Sequence, residues 1–199
     1  IITGDESEKD LAEFSTFLAK LKVLLANLRS KPILTFSLAA LYRPPFTPLQ
    51  FLPARPSMEA LEKAMNSTQE AVGNAGFECR FSAGPWDAGL SEFLSYADRR
   101  STPILVRASL EKGFRYRGEV EKSWYLFWRV EAAKTLSHPP FPLEPRALDT
   151  VFPWEDISVG VSKEALWKNF QSLMTGAEKP SCIAPPLGSG VCENCGACT

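Results

Sequence analysis

The chain has 199 residues, of which 45% are apolar and 23% are charged, and its net charge is −1. A chain of this size can bury roughly 70% of the surface that its unfolded form exposes, which indicates a globular domain. A net charge near zero gives no strongly basic surface to attract nucleic acids, so we expect no nucleic-acid partner. No apolar run approaches the ~20 residues that cross a bilayer, so we expect no membrane span.

The first segment, residues 1–31, is predicted to contain a long amphipathic helix. Between Ser7 and Arg29, apolar residues recur at alternating spacings of three and four, which is typical of a heptad seam. Three more apolar residues widen this face, so two interpretations stay open: the helix packs on its own sheet, or part of the face binds a partner chain. The seam comprises Leu11, Phe14, Leu18, Leu21, Leu25 and Leu28, and the additional residues are Phe17, Val23 and Leu24.

Residues 32–176 are predicted to form an α+β domain. Helices are expected after Ser57, over DAGLSEFLSYADRR and after Ser162, because polar caps precede apolar residues at helical spacing. The predicted architecture is a two-layer sandwich with a mixed or antiparallel sheet of four or five strands and helices on one face. The expected strands are ILTFSLAALY, FECRF, PILVRASL, FRYRGEV and WYLFWRVEA, the last of which could also be a buried helix.

Two proline-rich stretches, residues 43–56 and 138–155, interrupt this domain. The first, RPPFTPLQFLPARP, has five prolines in fourteen residues, which excludes a helix or a central strand. Both stretches are predicted to be ordered loops that wrap the domain. Together with the N-terminal helix, they are the expected contact surfaces for protein partners in a hetero-oligomeric complex.

Conventional catalytic groups are sparse. His138 is the only histidine and precedes two prolines, so it is expected to be a loop residue rather than a member of a triad. Trp86 and Trp154 are each followed by acidic residues, a combination that suits sugar binding but also arises where tryptophan anchors a loop in the core. We expect both tryptophans to anchor loops in the core. Cys79 alternates with two phenylalanines and is predicted to be a buried thiol.

Residues 177–199 are predicted to be a flexible linker and a cysteine-rich tail. Cys192, Cys195 and Cys198 are each three positions apart, and Cys182 lies ten residues upstream of the first. Over seven residues, this Cys-x-x-Cys-x-x-Cys run resembles that of bacterial ferredoxin-type iron–sulfur proteins, although the Cys-Pro that completes their run is absent. The four sulfurs are predicted to bind a zinc ion or an iron–sulfur cluster.

The tail also has other interpretations. Its cysteines could form disulfides or dock to a partner, or Cys195 and Cys198 could form the thiol pair of a mobile redox or metal-transfer arm on an enzyme. A third alternative is a precursor whose cysteine-rich C-terminal peptide is modified. The favoured hypothesis is an accessory, non-catalytic subunit of a larger assembly, whose tail binds a metal ion or an iron–sulfur cluster or docks to a partner.

Cysteine usage and the first residue bear on the compartment. An odd count of five cysteines, four of them near one end, does not match the evenly spaced disulfide framework of a small secreted domain. We therefore expect a reducing compartment, either the cytoplasm or an organelle interior. The chain begins with Ile1 rather than methionine, which favours a processed or truncated product.

Overall fold

A computed structural model describes residues 1–30, 32–53, 55, 57–113, 119–135 and 145–177. Helices dominate these residues, and a short sheet accompanies them, so the mixed composition is consistent with the broad α+β class. The elements are α1 (Glu8–Ala26), β1 (Thr35–Leu38), α2 (Met58–Asn74), β2 (Glu78–Phe81), α3 (Pro85–Tyr96), α4 (Thr102–Lys112), α5 (Lys122–Thr135) and α6 (Lys163–Thr175), with 3₁₀ turns at Pro48–Phe51 and Arg99–Ser101.

The sheet is small and parallel. Strand β1 pairs with β2 in a register that places Thr35 opposite Glu78 and Leu38 opposite Phe81. Parallel strands need a long crossover, which here includes α2. Ile2 extends the sheet beside the far end of β1 through a parallel bridge to Ala40. The N-terminal residues therefore join the same layer as the two strands.

The predicted sheet of four or five strands is not found among the described residues. Residues 103–110, predicted to be a strand, belong to helix α4, and residues 124–132 belong to helix α5. Pro103 lies in the first turn of α4, where its missing N–H has no consequence for the helix, and it is better suited to that position than to a strand interior. For residues 124–132 the alternative of a buried helix is confirmed. Residues 114–118 of the expected strand FRYRGEV lie outside the described residues.

The helix boundaries follow the polar residues that the sequence places there. The Ser57 side chain accepts a hydrogen bond from the backbone N–H of Ala60, and Ser162 accepts one from Ala165. Each bond satisfies a donor that the first turn of a helix leaves without a partner. Helix α6 ends at Gly176, which adopts the left-handed conformation with φ 66°. The predicted starts of α2 and α6 and the predicted end of α6 are confirmed.

Helix α1 presents its heptad seam to its own domain. Leu18 is buried, four other seam residues are half-buried, and the Phe14 ring makes an edge contact with Phe36 of β1 at a centroid distance of 6.1 Å. The additional apolar residues point elsewhere, since Phe17 and Leu24 are 51% and 65% exposed. The first interpretation therefore holds for the seam, and a second apolar face remains exposed.

The core consists of three apolar clusters, and helix α3 contributes to each of them. Trp86 belongs to the cluster nearest the sheet, Phe93 packs against α4 and α5, and Tyr96 lies in an aromatic cluster with residues of α6. α3 is therefore the element that connects the three clusters. The aromatic cluster comprises Phe51, Tyr96, Phe152, Trp154, Leu166 and Phe170.

The close packing of α3 leaves little room for a side chain at position 89. A Cβ atom at Gly89 would lie 2.7 Å from Met58 Cε and 2.8 Å from Tyr125 Cε2, which is too close for an ordinary contact. We expect Gly89→Ala to lower the free energy of unfolding by about 1–2 kcal/mol, because an overpacked core forces its neighbours to shift. Urea denaturation measures this difference.

Gly73→Ala in α2 is the matched control, because a Cβ there meets no atom within 4 Å. It should leave the stability unchanged or raise it by up to about 1 kcal/mol, since alanine favours a helix more than glycine does. Equal effects of the two substitutions would contradict the packing described for α3.

Candidate functional site

The predicted metal ligands Cys182, Cys192, Cys195 and Cys198 lie outside the described residues, as does His138. Within the part of the chain that the structure describes, no group of three or more histidine, cysteine, aspartate or glutamate side chains could hold a metal ion. Cys79 in β2 is partly buried, and this burial raises the pKa of its thiol.

The two tryptophans next to acidic residues are structural anchors. Both indoles are buried, and each Nε1–H donates a hydrogen bond: Trp86 to Glu62 Oε1 at 3.2 Å and Trp154 to Gln50 Oε1 at 3.3 Å. The Asp87 carboxylate accepts a bond from the backbone N–H of Val120 at 2.9 Å. A buried indole presents no open ring face to a sugar, so the anchor interpretation agrees with the structure.

The largest concentration of buried charge was not predicted from the sequence. Arg43, Arg55 and Arg146 surround Glu92 of α3, and all four side chains are buried; we call this group the buried arginine cluster. Arg43 and Arg55 belong to the first proline-rich stretch and Arg146 to the second. Arginine and glutamate are seldom fully buried unless they are paired, so the cluster requires a physical explanation.

Glu92 holds the first proline-rich stretch against α3. Arg43 Nη1 donates to Glu92 Oε1 at 2.8 Å, and Arg55 Nη2 lies 4.0 Å from Glu92 Oε2. The Arg55 guanidinium also donates to the backbone carbonyls of Thr3 and Leu41. One carboxylate and one guanidinium thus link the N-terminal residues, the segment after β1 and helix α3.

Arg146 extends the cluster by one turn of α3. Its Nη1 donates to the carbonyl oxygens of Gln50 and Leu52, at 2.8 Å in both cases. Its guanidinium carbon lies 4.4 Å from the centroid of the Tyr96 ring, which is a cation–π contact. Tyr96 follows Glu92 by four residues, so the two side chains are neighbours on one face of the helix.

The electrostatics of the cluster are unbalanced. Arginine keeps its charge in proteins, so three guanidinium charges face one carboxylate in a poorly solvated region. Burial lowers the pKa of Arg55 and Arg146. Burial also raises the pKa of Glu92, against the opposing effect of Arg43 and Arg55, and raises the pKa of Tyr96 to about 12.

Two donors of the cluster have no hydrogen-bond partner. They are Arg43 Nε and Arg146 Nη2, which are both shielded from solvent. A buried donor without a partner costs about 1–3 kcal/mol, and more where it is charged. The cluster therefore has both positive charge and hydrogen-bonding capacity that its own residues do not satisfy.

Sequence reasoning could not have found this cluster. Arg43 and Glu92 are 49 residues apart, and Arg146 lies 96 residues from the carbonyl of Gln50 that it binds. No periodic pattern or short motif connects these positions. The available signal was weak: arginines at the first and second-last positions of a proline-rich stretch that was expected to wrap the domain.

Comparison of the chain with protein-family models, with curated proteins and with solved structures found no match. Of the helices in the described residues, none is both long enough and apolar enough to cross a membrane.

The arrangement predicts a pH-dependent effect of removing Arg43. We expect Arg43→Gln to lower the free energy of unfolding by about 3 kcal/mol at pH 8, because it leaves the buried Glu92 charge with a weaker partner. Without Arg43, the pKa of Glu92 in the folded state rises further above its unfolded value. The destabilisation by the buried Glu92 charge is therefore present above that pKa and disappears as the pH falls through it. The loss in free energy of unfolding should accordingly be smaller at pH 5.

Urea denaturation of both proteins at pH 8 and pH 5 measures this difference. Arg80→Gln is the control, because Arg80 forms a 3.9 Å ion pair with Glu78 but is 75% exposed. That substitution should change the stability by less than about 1 kcal/mol at either pH. An equal loss of stability at pH 8 and pH 5 in Arg43→Gln would show that the loss does not arise from the charge of Glu92.

Proposed function

We propose that this chain is an accessory, non-catalytic subunit of a larger assembly, and that its C-terminal tail binds a zinc ion or an iron–sulfur cluster. The observation that carries the proposal is the spacing of Cys192, Cys195 and Cys198, with Cys182 as the fourth sulfur. Thiolates separated by two intervening residues can converge on one soft metal ion, and four of them complete a tetrahedral zinc site or a cubane cluster.

The short sequence separation between the domain and the tail supports this role. Helix α6 ends at Gly176, and Cys182 follows six residues later. Six residues span at most ~20 Å of fully extended chain. A metal bound through Cys182 would therefore be held close to the folded domain, which suits a centre that serves a neighbouring subunit.

The outer face of α1 supports a protein partner. Phe17 and Leu24 are seven residues apart, so they form one stripe along the helix, and they are 51% and 65% exposed. Such a stripe matches the apolar side of a partner helix. Lys20 and Glu13 lie beside it and would remain in solvent at the rim of that contact.

Cysteine usage leads us to place the protein in a reducing compartment. Thiolates that bind zinc or iron must stay reduced, and such ligands are kept so in the cytosol rather than in secreted fluids. The metal experiment therefore has to start from anaerobic material.

The first prediction concerns metal content. We expect anaerobically purified chain to hold one zinc per chain, or iron with acid-labile sulfide and a visible absorption band. A variant with Cys192, Cys195 and Cys198 changed to serine should lose the metal, because it removes three of the four ligands. Cys79→Ser should retain it, since Cys79 lies in β2 and serves as the matched control.

Thiol reactivity distinguishes this proposal from a redox arm. Metal-bound cysteines should resist alkylation until a chelator is added. Fast alkylation of Cys195 and Cys198 without any chelator, together with a lowered thiol pKa, would support a thiol–disulfide arm instead. Ordinary reactivity and no metal would contradict both chemical roles and leave a docking or modified tail.

The second prediction concerns the partner. We expect the tagged chain, isolated from its own cells, to bring down a stoichiometric protein that is lost when Phe17 and Leu24 are both changed to glutamate. Both side chains are exposed, so each substitution should change the free energy of unfolding by no more than about 0.5 kcal/mol. Glu13→Gln on the same helix is the control and should keep the partner. A partner retained by the double variant would exclude the outer face of α1 as the contact.

A further inference from the structure

We propose that the buried arginine cluster is a binding site for a small oxyanion of the phosphate type, held between Arg43 and Arg146. The first observation is the pair of donors without partners, Arg43 Nε and Arg146 Nη2. Both belong to side chains that are more than nine-tenths buried. The remaining bonds of the two guanidiniums, to Glu92 and to backbone carbonyls, fix the direction in which these free donors point.

The second observation is the charge of the cluster. Three guanidinium groups surround the single buried carboxylate of Glu92, and Asp5 and Glu6 also act on Arg55, so the excess positive charge lies on Arg43 and Arg146, which share Glu92. Unpaired buried charges are rare because transfer from water costs several kcal/mol per ion. A small oxyanion of the phosphate type would supply negative charge beside Arg43 and Arg146, together with several oxygens that accept hydrogen bonds.

The third observation is the geometry along α3. Arg43 binds Glu92, and Arg146 stacks on Tyr96 one turn further along the same face. The two guanidiniums are close enough for each to influence the pKa of Tyr96. Guanidinium groups bind phosphate oxygens through planar, directional N–H donors. Two guanidinium groups that lie beside adjacent turns of α3 therefore suit an oxyanion with several oxygens.

The site is enclosed by segments from distant parts of the chain. Arg43 and Arg55 come from the first proline-rich stretch, Glu92 from α3 and Arg146 from the second stretch. An anion bound among them would contact the folded chain and would lose its contacts on unfolding. Binding must therefore raise the stability of the protein. This proposal is independent of the metal-binding tail, because none of its residues belongs to residues 177–199.

The test measures thermal unfolding of the full chain, purified without phosphate or sulfate, in increasing inorganic phosphate. Chloride at the same ionic strength is the reference. At a phosphate concentration 100 times the dissociation constant, the melting temperature should rise by roughly 5–10 °C for a domain of this size. A melting temperature that does not rise above the chloride reference would overturn the proposal.

Phosphate also stabilises proteins without binding to them, through its exclusion from their surface, so a variant must separate the two effects. Arg146→Lys keeps the positive charge but removes Nη2, and it should lose the specific, saturable part of the shift. Arg80→Lys, at an exposed arginine, should keep the whole shift. Equal shifts in the original chain and in Arg146→Lys would also overturn the proposal.

Two further measurements keep the test decisive. If Arg146→Lys fails to fold, equilibrium dialysis of the unchanged chain should find one phosphate bound per chain, and no binding at millimolar phosphate would reject the site. Glycerol phosphate distinguishes the source of the oxyanion. Stabilisation by inorganic phosphate only indicates an enclosed free ion, and equal stabilisation by the ester indicates a phosphate group on a larger molecule; both support an oxyanion site.

Discussion

The fold depends on the contact between Glu92 and the guanidiniums that surround it. Helix α3 contributes side chains to three apolar clusters. Apolar burial is not directional, so it brings the proline-rich stretches onto α3 without fixing their position. The 2.8 Å bond between Arg43 and Glu92 does fix it, because a buried charge that moves away from its partner loses several kcal/mol. Hydrogen bonds from Arg55 then tie the N-terminal residues to the same point.

The elements that could be predicted from the sequence are those with a local physical cause. Ser57 and Ser162 cap α2 and α6 because a serine side chain satisfies a free N–H in the first helical turn, whatever the rest of the chain does. The strands β1 and β2 follow short apolar runs between helix ends and turns. Helices α4 and α5 could not be distinguished from strands on apolar content, because each carries apolar residues on its exposed side as well as on its buried side, such as Leu110 in α4 and Val130 in α5. Pro103 was the one local indication for α4.

The two faces of α1 show where a pattern predicts structure and where it does not. The seam through Leu18 packs on the domain, as its heptad spacing indicates. Phe17 and Leu24 have the same apolar character but are exposed, since a helix on the surface of one domain can turn only one face to it. Sequence pattern identifies both faces, and only the fold distinguishes the face that is already used.

The buried arginine cluster marks the limit of prediction from sequence, and for a physical reason. Its energy comes from charges that meet only after the chain has folded, so no residue carries the information by itself. Replacing such a cluster with apolar residues often stabilises a protein, which means that stability alone does not explain three arginines around one glutamate. A bound oxyanion would explain them, since it would convert the unsatisfied donors and the excess charge into favourable contacts. The proline-rich stretches would then serve two purposes at once: they cover the aromatic core with Phe51, and they carry Arg43 and Arg146 to the positions from which an anion can be enclosed.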